Sequence, residues 1–326
     1  MDEAKPPRSP EAERSFLGGI DENGLGPRLG PLIVTGALAQ MDSPEAAAEA
    51  AGPAAPEMKA LIGDSKRLVG FGHSALGEAW ARVLFRAQGM EFQRPSDLIR
   101  RLSLDALESL QSACPQAAFP LCWRPVSEER DRFAAGEEVL DQVESARQSL
   151  LRRGIRLTSV RSAIICPRAL NEARDRDITR LDMDLEAMER LFLAMRRRAG
   201  EDARLTVHCG KVGGLTFYAS KFRHIRLSVL GILRESREVS AYASGRAQIR
   251  FVLDAEPKHQ LVGLASLVGK WLRDLMMDRL LDHLRAGHPE WPAASGYNDK
   301  RTKTLIALSE PLRRSRGIPD DCFLRR

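Results

Sequence analysis

A short apolar run, residues 16–20, stops at two adjacent acids, Asp21 and Glu22. A loop with Gly24, Gly26 and Gly30 then leads at once into a second apolar run, residues 31–38. Apolar runs of that length, punctuated by glycine and proline, read as strand, tight loop, strand. The two acids then stand at the mouth of the loop. Carboxylates there can hold a hard metal ion through oxygen, and glycines there let a phosphate backbone come close to main-chain amides. The same residues would also suit a solvated hairpin with an acidic edge, because a motif this short recurs by chance.

Composition narrows the partners. The chain has 326 residues, 43% hydrophobic and 29% charged, enough to bury a sizeable core in one large domain or two. Its net charge of +6 favours polyanions, with nucleic acid the natural partner. The cysteines Cys114, Cys122, Cys166, Cys209 and Cys322 are dispersed, with no C-x-x-C pair. That argues against a disulfide framework or structural zinc and for a reducing cytoplasm. Residues 1–15 are charged and proline-rich and are predicted to be disordered rather than a signal peptide. No apolar run is long enough to cross a bilayer, so no membrane is expected, and no protein partner is identifiable.

Further along, residues 42–56 read as a solvated connection with at most one loose helical turn. A helix is predicted over 74–88, with Leu76, Trp80 and Val83 on one face and Ser74 as N-cap. Residues 95–112 have helical spacing, and Pro115, Pro120 and Pro125 make 113–126 irregular. Val139, Val143, Ala146 and Leu150 mark a helix closed by Arg152, Arg153 and Gly154. Leu181, Leu185, Met188, Phe192 and Met195 mark another, read as core packing, with Arg196, Arg197 and Arg198 at its C-terminus. Strands are predicted at 155–165, 205–209 and 225–230, a hairpin at 239–253 turned at Ser244 and Gly245, and a well-buried helix at 264–284. Helices interleaved with strands give an α/β class with a mixed sheet.

Three later segments join the opening motif: GDSKRL at 63–68, AEPKHQLVGLASLVGKWLRD at 255–274, and SGY at 295–297. In this order the four islands resemble ribonuclease HII, a family with GIDEAGRGP, DSKKL, an acid before AASIVAKVTRD, and GY near the C-terminus. The resemblance implies a ribonuclease H-like fold with a mixed central sheet flanked by helices. It places the domain at 16–285, with insertions near 41–60 and 90–150, and a C-terminal extension at 286–326 packing on it.

The resemblance also implies a metal-dependent endonuclease acting on RNA in RNA–DNA hybrids with Mg2+ or Mn2+. Asp21, Glu22 and Glu256 match the catalytic, metal-holding acids. Gly24, Gly26, Lys66 and Tyr297 match positions that contact nucleic acid, while Asp64 and Ser65 cap or brace their loop. Lys270, on the helix after Glu256, is read as facing phosphate, with the domain edge as the alternative. Asp254, two residues before Glu256 on one alternating face, could replace it. Two departures stand out. Gly210 occupies the middle acid position, where a side-chain ligand is lost and only the softer His208 or Cys209 is at hand. Leu25 replaces the arginine of the first loop, with Arg28 a candidate substitute. Arg273, one turn from Lys270, could face phosphate or lie at the domain edge. Arg313, Arg314, Arg316, Arg325 and Arg326 read as a solvated basic tail. The alternative reading is a non-catalytic nucleic-acid-binding protein that keeps the fold.

Overall fold

The computed structural model describes residues 14–112, 114 and 124–326. Ser15, within the segment 1–15 expected to be disordered, is the first residue of a strand, while residues 1–13 and most of the irregular stretch at 113–126 lie outside the described residues.

The chain opens with β1 (Ser15–Asn23) and β2 (Leu32–Met41), the predicted hairpin. Then follow helices α1 (Pro44–Ala51), α2 (Ser65–Leu68), α3 (Ala75–Arg86), α4 (Pro95–Leu102), α5 (Leu107–Ser112) and α6 (Glu137–Arg152). Strand β3 (Ile155–Ile165) returns to the sheet, followed by α7 (Pro167–Arg174), α8 (Arg180–Ala199) and β4 (Arg204–Gly210). The remainder is β5 (Gly231–Glu235), β6 (Val239–Ser244), β7 (Ala247–Val252), α9 (Ala255–Lys258), α10 (Gln260–Arg285), α11 (Lys300–Ser315) and α12 (Asp320–Phe323). The strands form one seven-stranded sheet in the order β3-β2-β1-β4-β7-β6-β5. β4 lies parallel to both β1 and β7, and every other neighbouring pair is antiparallel. The expected α/β class with a mixed sheet flanked by helices is what the chain adopts.

Period-two alternation divides the core between the sheet's two faces. Phe16 and Ile20 of β1 join Met188, Leu191, Phe192 and Met195 of α8 on one face. Leu17 joins Leu261, Leu264 and Leu267 of α10, with Trp80 and Leu84 of α3, on the other. Helix α10 lies almost directly on β1. A Cβ at Gly19 would sit 2.2 Å from the main-chain carbon of Leu261, so glycine is what permits that approach. Covered by the sheet below and α3 above, α10 is apolar around most of its circumference.

Several local expectations need correction. Residues 44–51 are not a loose turn but a helix capped by Ser43, with Ala46 and Ala50 buried against the core. Ser74 stands at the N-cap of α3 without a capping side-chain bond. Residues 225–230 are not a strand. The buried carboxylate of Glu189 accepts from the amides of Arg223, His224 and Ile225, which turns the chain there, and the strand begins only at Gly231. The terminal arginines do not form a solvated tail. Arg313 and Arg325 are buried, Arg314 pairs with Glu310, Arg316 donates to the carbonyl of His283, and Arg326 pairs with Asp175 and Asp321. Among the described residues no helix is long and apolar enough to cross a membrane.

Candidate functional site

The parallel strands β1, β4 and β7 end at one level, with Ile20 beside Cys209 and Gly210 beside Val252. Crevices outside the carboxyl ends of parallel strands are common ligand sites. Here a cavity of about 900 Å³ opens there. Asp21, Glu22, Gly24, Gly26, Lys66, Glu256, Lys270 and Tyr297, singled out from four separate stretches of sequence, all line it.

Asp21 lies near the C-terminal end of β1 on the α10 side, half-buried and hydrogen-bonded to Ser266. Loss of water, then the charges of Glu22 and Glu256, push its carboxyl well above the usual range, against the pull of Ser266 and Lys66. Alternation turns Glu22 toward α8, where burial raises its pKa to about 7. Below it lies Asp184 of α8, fully buried, with neither carboxylate oxygen hydrogen-bonded. Burial first, then Glu22 and Asp21, favour its neutral form. The sequence reading missed Asp184, because an acid on the inner face of an amphipathic helix looks like an interruption of the stripe.

Glu256 does not lie on a strand. β7 stops at Val252, Asp254 takes a left-handed conformation (φ 51°), and Glu256 belongs to the short turn of α9. Asp254 lines the cavity from an exposed position, so the expected shared strand face does not exist. The Glu256 carboxylate accepts from the Ser65 amide at 2.5 Å, which ties α9 to the start of α2. Asp64 caps α2 by accepting from the Lys66 amide, so Asp64 and Ser65 brace the loop as expected. Ser65 also meets Ser266 of α10, hydroxyl to hydroxyl at 3.0 Å. Lys66 is exposed. Lys270 donates to the carbonyls of Val69 (2.6 Å) and Ser65 (3.4 Å), and burial lowers its pKa.

Gly210 faces the cavity. A Cβ there would meet only Asp21, at 3.3 Å from Oδ1, with nothing else within 4 Å. Neither candidate replacement reaches the cavity. Cys209 is buried in the core on the α8 face. His208 stacks on His259 with ring centroids 3.9 Å apart, and burial lowers its pKa to about 3.

The glycine loop is held by arginines from distant segments. Gly24 has φ of +94°, and a Cβ there would lie 2.5 Å from Arg273 Nε. Arg273 is buried, donates to the Ser295 carbonyl at 2.8 Å and lies 5.1 Å from the ring centre of Tyr297. It braces the loop and the tyrosine rather than facing a ligand. Arg325 donates to the carbonyls of Gly24 (2.5 Å) and Gly30 (2.7 Å), and Arg180 to that of Pro27 (3.3 Å). Leu25 packs against the α8-side core, and Arg28 does not line the cavity.

The oxygen donors Asp21, Glu22 and Glu256 are of the kind that magnesium and manganese take. The set is nonetheless short. Among the described residues no three His, Cys, Asp or Glu side chains stand together closely enough to hold an ion. Glu256 is engaged with Ser65, and Gly210 offers no side chain. The residues present do not fit a paired-cation centre.

The chain matches no protein-family model and no curated protein sequence. Among solved structures it is similar to ribonuclease HII from Archaeoglobus fulgidus, in its complex with PCNA. The identity is 17% over 95% of this chain and 94% of that one, with a TM-score of 0.40. For ribonuclease H2 from Pyrococcus horikoshii OT3 the figures are 15%, 94% and 92%, with a TM-score of 0.36. For Bst-RNase HIII in complex with Mn2+ they are 13%, 91% and 71%, with a TM-score of 0.39. The similarity to ribonucleases HII and HIII thus spans most of the chain at low identity.

Proposed function

We propose that this chain binds nucleic acid, with RNA–DNA hybrid as the preferred form, in the cavity at the ends of β1, β4 and β7. The frame is ribonuclease HII-like, and its hydrolytic centre is incomplete. The observation that carries this reading is Gly210. It stands beside Asp21 at the strand-end position where the resemblance calls for an acid, and the space its side chain would fill holds no other carboxylate.

Binding does not need that acid. Lys66, exposed at the start of α2, offers a positive charge to a phosphate. Gly26 has no atom within 4 Å of where a Cβ would be, so a backbone or ribose can approach its main chain. Tyr297, 47% exposed and steadied by Arg273, lines the cavity. Lys270 fixes the loop that carries Lys66. Asp21 and Glu22, biased toward their neutral forms, repel a phosphate less than two full charges would.

The test combines binding and cleavage, using labelled hybrid, DNA duplex and RNA duplex with magnesium or manganese. Wild type is expected to bind hybrid best and leave it intact. Lys66→Ala weakens binding by roughly the worth of one phosphate contact. Gly210→Asp gains cleavage, and adding Asp21→Asn removes it. Cleavage by wild type that Asp21→Asn abolishes would replace this reading with a working nuclease. Absence of binding to every nucleic acid would sink both.

A further inference from the structure

The outer edge of the sheet carries a second surface. Residues 213–238 leave the cavity wall, form β5 and return to β6. Phe217 (67% exposed), Val229 (58%), Ile232 (58%) and Leu233 (52%) all lie in this one segment. β5 ends the sheet and pairs only with β6, and an irregularity between Ile232 and Arg234 leaves Leu233 without a register partner. An apolar edge strand of this kind invites a partner.

Charge says which partner. The segment holds five Lys or Arg residues against two acids, Glu235 and Glu238. Lys221 and Arg223 pair with Asp182 and Glu186 of α8. Arg226, Arg234 and Arg237 are exposed in the same segment as the apolar side chains, and Arg234 and Arg237 also stand near Glu238. Glu235 accepts from the Tyr242 hydroxyl and is turned inward. The surface is also continuous with the cavity. Lys211, a lining residue, donates to the carbonyls of Ser236 (2.7 Å) and Leu215 (3.0 Å). Leu253, another lining residue, donates its amide to Glu238.

Resting on the nucleic-acid reading of the cavity, we propose that this edge binds a single-stranded segment of the same nucleic acid as it leaves the cavity. A duplex turns phosphates and sugars outward and would leave the apolar patch uncovered. A single strand presents unstacked base faces as well as phosphates. Phe217 and the aliphatic side chains cover the bases, and the three arginines take the phosphates. Apolar contacts to base faces and arginine contacts to phosphates carry no base-specific donor pattern, so binding is indifferent to sequence.

The experiment compares blunt hybrids with hybrids bearing a single-stranded oligothymidine tail, by fluorescence anisotropy across a salt series. The tail should tighten wild-type binding by about tenfold or more. Arg226→Glu, Arg234→Glu and Arg237→Glu together should remove that gain and leave blunt binding unchanged. They should also flatten the log–log salt slope by about 2, at roughly 0.7 per phosphate contact. Phe217→Ala should reduce the gain and leave the slope as it is. Lys66→Ala should weaken blunt and tailed hybrids alike. A tail that adds nothing to wild type overturns the proposal, as do arginine variants that weaken both hybrids equally. If Ile232→Asp alters sedimentation while tailed binding is unaffected, the edge is a contact between copies of this chain. Failure of blunt binding alone, with tail binding intact, would count against the cavity reading instead.

Discussion

At the scale of single residues, the strand end of β1 concentrates unfavourable charge. Glu22 has a folded pKa of about 7 against an ordinary 4.5, through burial. The native state therefore holds a proton that the unfolded chain gives up, and stability falls as pH rises from about 4.5 through about 7. The loss at higher pH is at most about 3 kcal/mol. Glu22→Gln should leave stability at pH 4 nearly unchanged and raise it at pH 8, measured by urea denaturation in a chelating buffer. An equal effect at both pH values would mean that Glu22 is not held protonated. Asp184 pushes the same way, since its raised pKa also makes the native state lose stability as pH rises. The acids Asp21 and Glu22 were legible in the sequence because they interrupt an apolar run beside glycines. Asp184 was not, because only the packing of α8 on β1 brings it beneath Glu22.

At the scale of elements, the contact of α10 with β1 is governed by glycine. Gly19→Ala would drive a methyl into the main chain of Leu261, which cannot rotate away. We expect a loss of about 2–3 kcal/mol or more in denaturant unfolding, at the upper end for overpacking. Gly26→Ala meets nothing within 4 Å and should change stability by less than about 0.5 kcal/mol, while hindering approach to the cavity. Equal stability losses in the two would refute the close-approach argument. Periodicity found β1, β2, α3, α6, α8, α10 and the hairpin of β6 and β7, because each carries a face that its own sequence spells out. It failed at 225–230, where β-branched and aliphatic residues look like a strand. There Glu189, 34 residues upstream of the first amide it holds, takes the amides of residues 223–225 and turns the chain where the strand was expected to begin.

At the scale of the whole molecule, the last residues of the chain hold its first loop. Arg325 donates to Gly24 and Gly30, its amide donates to Arg28, and Phe323 is fully buried. Asn171 of α7 accepts from the Arg326 amide and donates to the carbonyls of Asp321 and Leu324. Arg325→Ala removes a charged donor from two buried carbonyls, a loss of about 2 kcal/mol. Amides of residues 24–30 should then exchange faster, and hybrid binding should weaken more than binding to a single strand. Unchanged exchange in 24–30 would show that the loop stands without its C-terminal brace.

A family resemblance pointed to eight of the residues that line the cavity, and the sequence by itself determined the α/β class, the opening hairpin and the burial of α10. These are written in local patterns: alternation, helical spacing, glycine beside acid. It also showed that Gly210 carries no carboxylate. Only the tertiary structure decided whether another group takes that place, what braces the loop, and where the terminal arginines go. Those depend on contacts between segments far apart in the chain, such as Asp184 under Glu22, Glu256 on Ser65 and Arg325 on Gly24. No local pattern encodes them, because burial and charge at such positions are set by which elements the fold brings together.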